Sequence, residues 1–157
     1  MKLAYADPPY IGQARKHYGC DEVDHETLLR RLRCYDGWAL SCSTPSLRTL
    51  LPLCPDAVRV AAWVKPFAIF KPNVNPAYAW EPVLFRSARP GRRDVKTVRD
   101  WVSANITLKK GLSGAKPPAF CDWIFTLIGA EPTDDFDDLY PGTGIVTDQW
   151  KMFQQKG

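Results

Sequence analysis

Residues 1–10, MKLAYADPPY, decide the fold class because they join a short apolar strand directly to a rigid turn. Residues 1–6 have the mostly apolar pattern of a buried strand. The D-P-P-Y turn that follows consists of Asp7, Pro8, Pro9 and Tyr10. Because each proline fixes its φ near about −65° and has no N–H to donate, the turn is stiff. It holds a carboxylate, bare carbonyls and one ring where α/β sheets bind ligands, although a lone four-residue match fits a structural turn equally well.

The composition is that of one globular domain, which we expect to span residues 1–157. Hydrophobic residues make up 45% of the chain and charged residues 24%, so a sizeable core can be buried. No apolar run approaches the roughly 20 residues that span a bilayer, and the N-terminus lacks the pattern of a signal peptide. We therefore expect a cytoplasmic protein without membrane contact. The net charge of +4 permits a polyanionic partner without requiring one.

The cysteines and histidines predict neither disulfides nor a metal site. The five cysteines are odd in number and include no C-x-x-C pair, which favours reduced, structural thiols. The two histidines, His17 and His25, cannot form a metal centre alone. We expect no bound metal.

Hydrophobic periodicity predicts alternating strands and helices, which indicate an α/β fold with a mainly parallel sheet and helices on both faces. The apolar runs at 57–66 and 77–87 have no helix between them, so we expect them to pair antiparallel at one edge. The basic segment 88–114 shows no regular pattern. The other predicted strands lie at 1–6, 37–43 and the start of 134–155, and the predicted helices at 24–35, 44–55, 116–130 and the end of 134–155.

The sequence DDLYPGTG at 137–144 is a second candidate binding turn. Its glycines allow a tight turn and close approach of a ligand, and the helix that follows offers free N–H groups. Asp138, at the strand end, is suited to accept a hydrogen bond from a cationic amine. The pattern is not G-x-G-x-x-G, so a nicotinamide or flavin cofactor is poorly supported.

Taken together, the two turns resemble the signature pair of the exocyclic-amine DNA methyltransferases, D-P-P-Y and D-x-[FY]-x-G-[ST]-G. Here the pair stands at 7–10 and 138–144, in the permuted, β-type order of that family. Three intermediate stretches are also similar to the family: AAWVKP, AYAWEPVLF and GAKPPAFCDWIF, which contain Trp63 and Lys65, Glu81, and Lys116. The resemblance covers nearly the whole chain and keeps the order of its parts.

This resemblance implies transfer of a methyl group from S-adenosyl-L-methionine to the N6 amine of adenine in DNA. The Asp7 carboxylate and the Pro8 carbonyl, held by the D-P-P-Y turn, would polarise the amine, and Tyr10 would stack on the flipped base. The residues implied on the cofactor side are Asp7, Lys116, Pro117, Asp138, Tyr140, Pro141, Gly142, Thr143 and Gly144. The residues implied in nucleic-acid contact are Arg15, Lys16, His17, Tyr18, Lys65, Arg89, Arg92, Arg93, Lys96 and Arg99.

Two departures from the family shape the expectation. A basic loop at 86–114 stands in place of a recognition region, so phosphate contacts should dominate and specificity should be short or loose. The family's strands beyond the glycine turn have no counterpart here, which implies a truncated Rossmann-like sheet of about five strands with residues 134–140 at its edge. We expect either a homodimer anchored by Trp150, Met152 and Phe153, or a last helix folded over that edge.

Alternative functions stay open at this point. One is a cofactor-poor or inactive methyltransferase-fold module that binds nucleic acid. Another is methylation of the N4 amine of cytosine, or of adenine in single-stranded DNA or RNA. A small nucleotide-binding or hydrolytic α/β protein ranks last, because the sequence has neither a phosphate-binding P-loop nor a nucleophile elbow.

Overall fold

The computed structural model describes residues 1–15, 19, 21–66, 72–91, 97–106 and 115–156, which form one six-stranded sheet with helices on both faces. The strands are β1 (Lys2–Ala6), β2 (Gly37–Ser41), β3 (Arg59–Val64), β4 (Trp80–Arg86), β5 (Trp101–Ser103) and β6 (Asp135–Asp138). The α-helices are α1 (His25–Leu32), α2 (Leu47–Leu50), α3 (Pro118–Leu127) and α4 (Ile145–Gln154). Short 3₁₀ turns, Thr44–Ser46 and Leu51–Leu53, flank α2.

The strand order is β5-β3-β4-β2-β1-β6. β1 pairs in parallel with β2 and β6, and β3 pairs in parallel with β5. β4 is antiparallel to both of its neighbours, β2 and β3. The mainly parallel sheet and the antiparallel β3–β4 pair expected from the sequence are confirmed. The antiparallel strand lies inside the sheet instead of at its edge, because β4 also pairs with β2 and β5 extends the sheet beyond β3.

β5 makes the sheet six-stranded where about five strands are expected, and the expectation of no regular structure over 88–114 is wrong at this strand. Its three residues carry no strand pattern of their own. Contacts with β3 hold them in an extended conformation: Trp101 is in register with Ala62, and the Asp100 carbonyl accepts from the Ala62 N–H at 2.9 Å. The Trp123 indole of α3 also donates to the Arg99 carbonyl at 2.8 Å. Tertiary pairing therefore forms this strand.

Helix α1 confirms the cap and the apolar face that the sequence predicts. Asp24 is the N-cap, and its carboxylate accepts the Thr27 N–H at 3.0 Å. Leu28, Leu29 and Leu32 are buried against one face of the sheet, where they pack with residues of β1 and β2.

Helices α3 and α4 cover the opposite face and share a cluster of aromatic rings. Phe125 of α3 lies 5.2 Å from the Trp150 ring centroid and 5.3 Å from that of Phe153, and Trp150 stacks on Phe136 of β6 at 4.8 Å. Trp150 and Phe153 are therefore committed to packing within the chain, so two of the three residues expected as dimer anchors have an internal role. Met152 remains 51% exposed.

No helix among the described residues is long and apolar enough to cross a membrane. The thiols of Cys34, Cys42, Cys54 and Cys121 are free, and burial raises the pKa of Cys42 and of Cys121 to about 12. Cys20 lies outside the described residues. Within the described ranges, no group of three or more His, Cys, Asp or Glu side chains is placed to hold a metal ion.

Candidate active site

Both sequence motifs meet at one end of the sheet, which we term the carboxyl edge: the edge where the parallel strands β1, β2, β3 and β6 finish. Asp7 directly follows β1, Lys65 follows β3, and Asp138 ends β6. Because β4 runs in the opposite direction, its second residue, Glu81, lies at this same edge. Lys116 reaches the edge from the segment before α3. The topology thus collects charged side chains from distant parts of the chain.

The D-P-P-Y turn carries its acid and its ring on a short tight backbone. The Tyr10 carbonyl accepts from the Gln13 N–H at 2.8 Å, Pro8 is buried, and the Asp7 side chain is 26% exposed. The Tyr10 hydroxyl donates to Glu81 Oε2 at 2.9 Å. The ring is therefore fixed through a residue of another strand.

Lys116 lies at the centre of the charges. It is only 5% exposed, and its Nζ lies 3.0 Å from Asp7 Oδ1 and 3.6 Å from Glu81 Oε2. The same ammonium lies over the rings of Trp63 and Phe120, at 5.2 and 5.6 Å from their centroids. A buried ammonium needs such carboxylate partners, because without them the free-energy cost of desolvation would favour its neutral form or its exposure to solvent.

Glu81 also forms an ion pair with Lys65, whose Nζ lies 4.7 Å from the Trp63 ring centroid. The four side chains Asp7, Lys65, Glu81 and Lys116 form what we term the ion-pair cluster. It contains two carboxylates and two ammonium groups, so its formal charges balance.

The cluster sets the protonation of its members. Burial raises the pKa of Asp7 above its usual value, although the ammonium of Lys116 opposes this shift. Burial acts in the same direction on Glu81, but the charges of Lys116 and Lys65 outweigh it and lower the pKa of Glu81. Burial would lower the pKa of Lys116, yet Asp7 and Glu81 together raise it. The arrangement provides a carboxylate at Asp7 whose basicity depends on one buried lysine.

The glycine turn adjoins this cluster at the end of β6. Gly142 has a φ of +46° and Gly144, the N-cap of α4, a φ of +76°, a conformation that glycine adopts without strain. Pro141, Gly142 and Thr143 are exposed and Tyr140 is half-buried. A side chain added at Gly144 would meet nothing within 4 Å, so the space in front of the turn is open.

Asp138 offers an unused acceptor at this turn. Its Oδ2 accepts from the Thr147 hydroxyl at 3.1 Å, whereas Oδ1 is buried and has no hydrogen-bond partner of ordinary geometry within the described residues. Burial raises the pKa of Asp138, although the Thr147 hydroxyl and the Tyr140 N–H oppose this shift, and the charge of Asp7 adds a smaller contribution in the raising direction. A buried unpaired acceptor is costly, and a ligand that donates to it would remove that cost.

The predicted nucleic-acid residues divide into three groups. Lys16, His17, Tyr18, Arg92, Arg93 and Lys96 lie outside the described residues. Arg15 is exposed and 3.8 Å from the exposed Asp21, and the Arg99 guanidinium lies 5.3 Å from the ring centroid of the half-exposed Trp101. Lys65 points into the ion-pair cluster, and Arg89 points inward as well.

The Arg89 guanidinium forms an ion pair with a buried carboxylate, Asp134. Its Nη1 and Nη2 donate to Asp134 at 2.6 and 2.7 Å, and its Nη1 also donates to the Gly129 carbonyl at 2.6 Å. Asp134 accepts in addition from the Met1 amino group and the Glu131 N–H, each at 2.8 Å. The pair ties the segment after β4 to the start of β6, which is a structural role.

A separate groove of about 470 Å³ lies between the end of α3 and the segments around 87–91 and 97–100. Its cations are engaged, since Arg59 pairs with Asp100 at 3.4 Å and Arg89 pairs with Asp134. None of the residues of the two motifs lines it.

Sequence reasoning leaves the central roles of Glu81 and Trp63 open. The available signal was a glutamate inside an otherwise apolar strand, beside a W-x-K pattern on the preceding strand. Their pairing across β3 and β4, in direct register, is what brings them into the site.

No family model matches the sequence, and a search of curated proteins finds no match. Solved structures do match in fold. The crystal structure of the M1.HpyAVI–SAM complex has a TM-score of 0.66 and 17% sequence identity, over 98% of this chain and 78% of that one. A crystal structure of M1.HpyAVI has a TM-score of 0.63, also at 17% identity, over 97% and 76%. These likenesses confirm the Rossmann-like fold class that the sequence implies.

Proposed function

We propose that this chain transfers a methyl group from S-adenosyl-L-methionine to the N6 amine of adenine in DNA. The observation that carries the proposal is that the D-P-P-Y turn and the Asp138–glycine turn follow two paired parallel strands, β1 and β6, whose residues Tyr5 and Asp138 are in direct register at the carboxyl edge. Support comes from the fold shared with M1.HpyAVI, whose structure was solved as a complex with SAM. Residues 1–157 would act as one minimal methyltransferase domain.

The residues of the glycine turn fit the cofactor. The buried Asp138 Oδ1 has no hydrogen bond of ordinary geometry among the described residues, and a methionine ammonium would supply a donor. The left-handed glycines leave the backbone of Gly142 to Gly144 open to close approach. Tyr140, Pro141, Thr143, Lys116 and Pro117 would complete the pocket. When bound, the cofactor supplies an electrophilic methyl group on a sulfonium.

Asp7, Pro8 and Tyr10 would bind the base. The Asp7 carboxylate keeps Oδ2 open among the described residues while Lys116 holds Oδ1, so an exocyclic amine can donate to Oδ2. A second hydrogen bond to the Pro8 carbonyl would draw the amine out of conjugation with the ring, which frees its lone pair. The Tyr10 ring would stack on the base. The protein's contribution is thus positioning and electrostatics.

Nucleic-acid contact would fall to Arg15, Lys16, His17 and Tyr18, which follow the D-P-P-Y turn in the sequence, and to the basic segment 86–114. The Arg99 guanidinium lies beside the exposed Trp101 ring, so Arg99 is suited to pair with a phosphate and Trp101 to stack on a base. Arg89 is excluded from this role in the proposal because Asp134 occupies it. We expect strong salt dependence and short or loose specificity.

Mass spectrometry of nucleosides tests the proposal. Unmethylated duplex DNA, single-stranded DNA and RNA are incubated with the protein and labelled cofactor, with Asp7→Ala as the inactive control. Labelled N6-methyladenine from DNA is the expected product. N4-methylcytosine, or product from RNA alone, would replace the acceptor in the proposal, and no product despite saturating cofactor would reject it.

The position of β6 favours a second candidate, a nucleic-acid-binding module of the same fold with poor cofactor affinity. Within the described residues β6 has only β1 as a neighbour, so the glycine turn is flanked by sheet on one side. Calorimetric titration with the cofactor separates the two candidates, because only the methyltransferase requires saturable binding at Asp138.

A further inference from the structure

Glu81 lies where it can connect the two halves of the D-P-P-Y turn. It is in register with Trp63 on β3, so its side chain shares the face on which the buried rings support the ion-pair cluster. The side chain is only 21% exposed. A carboxylate in that position needs several partners to offset its lost hydration.

Each oxygen of Glu81 has a defined partner. Oε1 pairs with Lys65, and Oε2 accepts the Tyr10 hydroxyl at 2.9 Å and lies 3.6 Å from Lys116 Nζ. One carboxylate therefore contacts the ring of the turn directly and contacts its acid through a lysine.

The negative charge of Glu81 also competes with that of Asp7 for the Lys116 ammonium. The Lys116 ammonium lies between Asp7 and Glu81, and the nearer contact is with Asp7. If Glu81 were neutral, Lys116 would keep Asp7 as its only carboxylate among the described residues and would draw closer to it. Asp7 would then be a weaker acceptor for an amine, because its negative charge would be more fully compensated.

From this geometry we infer that Glu81 is a positioning residue of the proposed methyl transfer. It fixes the Tyr10 ring through the hydroxyl and sets the strength of the Asp7 acceptor through Lys116, without touching the base itself. The inference rests on the proposed function and extends it to a residue outside both motifs.

The test combines Glu81→Gln, Tyr10→Phe and the double variant, with Glu26→Gln as the matched control. Glu26 is an exposed carboxylate paired with Arg30 at 3.0 Å, so its substitution removes an ion pair of no consequence for the site. Glu81→Gln should lower kcat by about 30-fold or more while the cofactor Kd changes by less than about twofold. Tyr10→Phe should lower kcat by about tenfold, and the double variant should match Glu81→Gln within about twofold.

Multiplying effects in the double variant would overturn the inference, because Glu81 and Tyr10 would then act independently. An equal loss of cofactor affinity in Glu81→Gln would overturn it as well, since Glu81 would then serve the cofactor pocket.

A readout without turnover keeps the two proposals apart. In protein carrying ¹³Cζ-labelled tyrosine, the Tyr10 signal is identified by its loss in Tyr10→Phe. It should shift in Glu81→Gln and stay in place in Glu26→Gln. A shift in a protein that forms no methyladenine would support the positioning contact and reject the proposed function. An unmoved signal would reject the positioning contact whatever the activity.

Discussion

Lys116 and Asp7 lie 3.0 Å apart, Nζ to Oδ1, although one precedes α3 and the other follows β1. The contact places a 5% exposed ammonium against the carboxylate that the proposed chemistry needs in its ionised form. Because burial raises the pKa of Asp7 and Lys116 opposes that rise, the lysine extends the pH range in which Asp7 can accept a hydrogen bond.

Replacement of Lys116 by methionine should therefore move the acid limb of the activity profile to higher pH. Asp7 must lose its proton to act, and without Lys116 its pKa rises further above the usual value. Rates of methyl transfer measured from pH 5 to 9 check this expectation. Lys151→Met, which removes an exposed lysine 3.3 Å from Asp148, serves as the control and should leave the limb in place.

Asp7→Ala and Tyr10→Ala should each reduce methyl transfer by more than about 100-fold, while cofactor affinity stays within about threefold. The reason is that the proposed function assigns the Asp7 and Tyr10 side chains to the base and the main cofactor contacts to the glycine turn, so the cofactor-side place that the resemblance also gives Asp7 is tested here. Calorimetry with the cofactor and circular dichroism of the variants supply the comparison. A parallel loss of cofactor binding would place these residues in the cofactor pocket instead.

Substitution of Gly142 by valine should weaken cofactor binding by about tenfold or more, because a β-branched side chain at a φ of +46° forces the turn to change shape. Gly91→Val is the control, since Gly91 lies away from both motifs and an added side chain there meets nothing within 4 Å. Unchanged affinity in Gly142→Val would show that the turn is purely structural. Asp138→Asn should weaken binding too, because it removes the charge assigned to the methionine ammonium.

The elements that the sequence predicts well are those with local signals. The Asp24 cap, the leucine face of α1 and the strand–glycine turn–helix at 134–155 depend on patterns within a few residues, and the structure confirms them. The two motifs could likewise be placed at the same edge, because parallel strands end together.

The features that the sequence does not predict depend on contacts between residues far apart in the chain, and local sequence patterns carry no information about such contacts. β5 forms because β3 provides a strand to pair with, and three residues are too few for hydrophobic periodicity to predict a strand. Arg89 belongs to a basic run in the sequence, yet its guanidinium pairs with Asp134, a buried carboxylate that follows α3. Glu81 could be recognised as unusual in an apolar strand, but its partners come from β3, the D-P-P-Y turn and the segment before α3.

Asp134→Asn should destabilise the fold by about 2–3 kcal/mol at pH 7, because it removes the buried carboxylate that pairs with the Arg89 guanidinium and leaves it only Glu131, at 3.1 Å, as a carboxylate partner among the described residues. Burial alone would raise the pKa of Asp134, but hydrogen bonds from Arg89, the Met1 amino group and the Glu131 N–H hold it well below its usual range. Its stabilisation is therefore complete above the unfolded pKa of about 4 and declines as the pH falls toward the folded value.

Urea unfolding of the wild type and Asp134→Asn from pH 7 to pH 3 checks both statements. The difference in the free energy of unfolding should be largest at neutral pH and shrink on acidification. Asp148→Asn, at an exposed ion pair, should change stability by no more than about 1 kcal/mol. A difference that grows toward pH 3 would contradict the assignment.

Trp150→Ala should cost about 3–5 kcal/mol of stability, whereas Met152→Ala should cost less than about 0.5 kcal/mol. Trp150 is 6% exposed and stacks on Phe136 and Phe153, while Met152 is 51% exposed. Thermal unfolding gives the stabilities, and sedimentation at micromolar concentration tests the homodimer expectation in the same samples. A change of mass in Met152→Ala without loss of stability would place Met152 in an interface between copies.

The outer strand β6 affects whether the sheets of two copies of the protein can pair with each other. β6 carries Asp135 and Asp137, both exposed and both on one face of the strand, where Tyr35 donates to Asp137 at 2.6 Å. If a second copy aligned its own β6 along this border, carboxylates would stand opposite carboxylates, and such like-charge pairs are unfavourable. The acidic border therefore discourages growth of the sheet from one molecule into the next, and any self-association would have to use another surface.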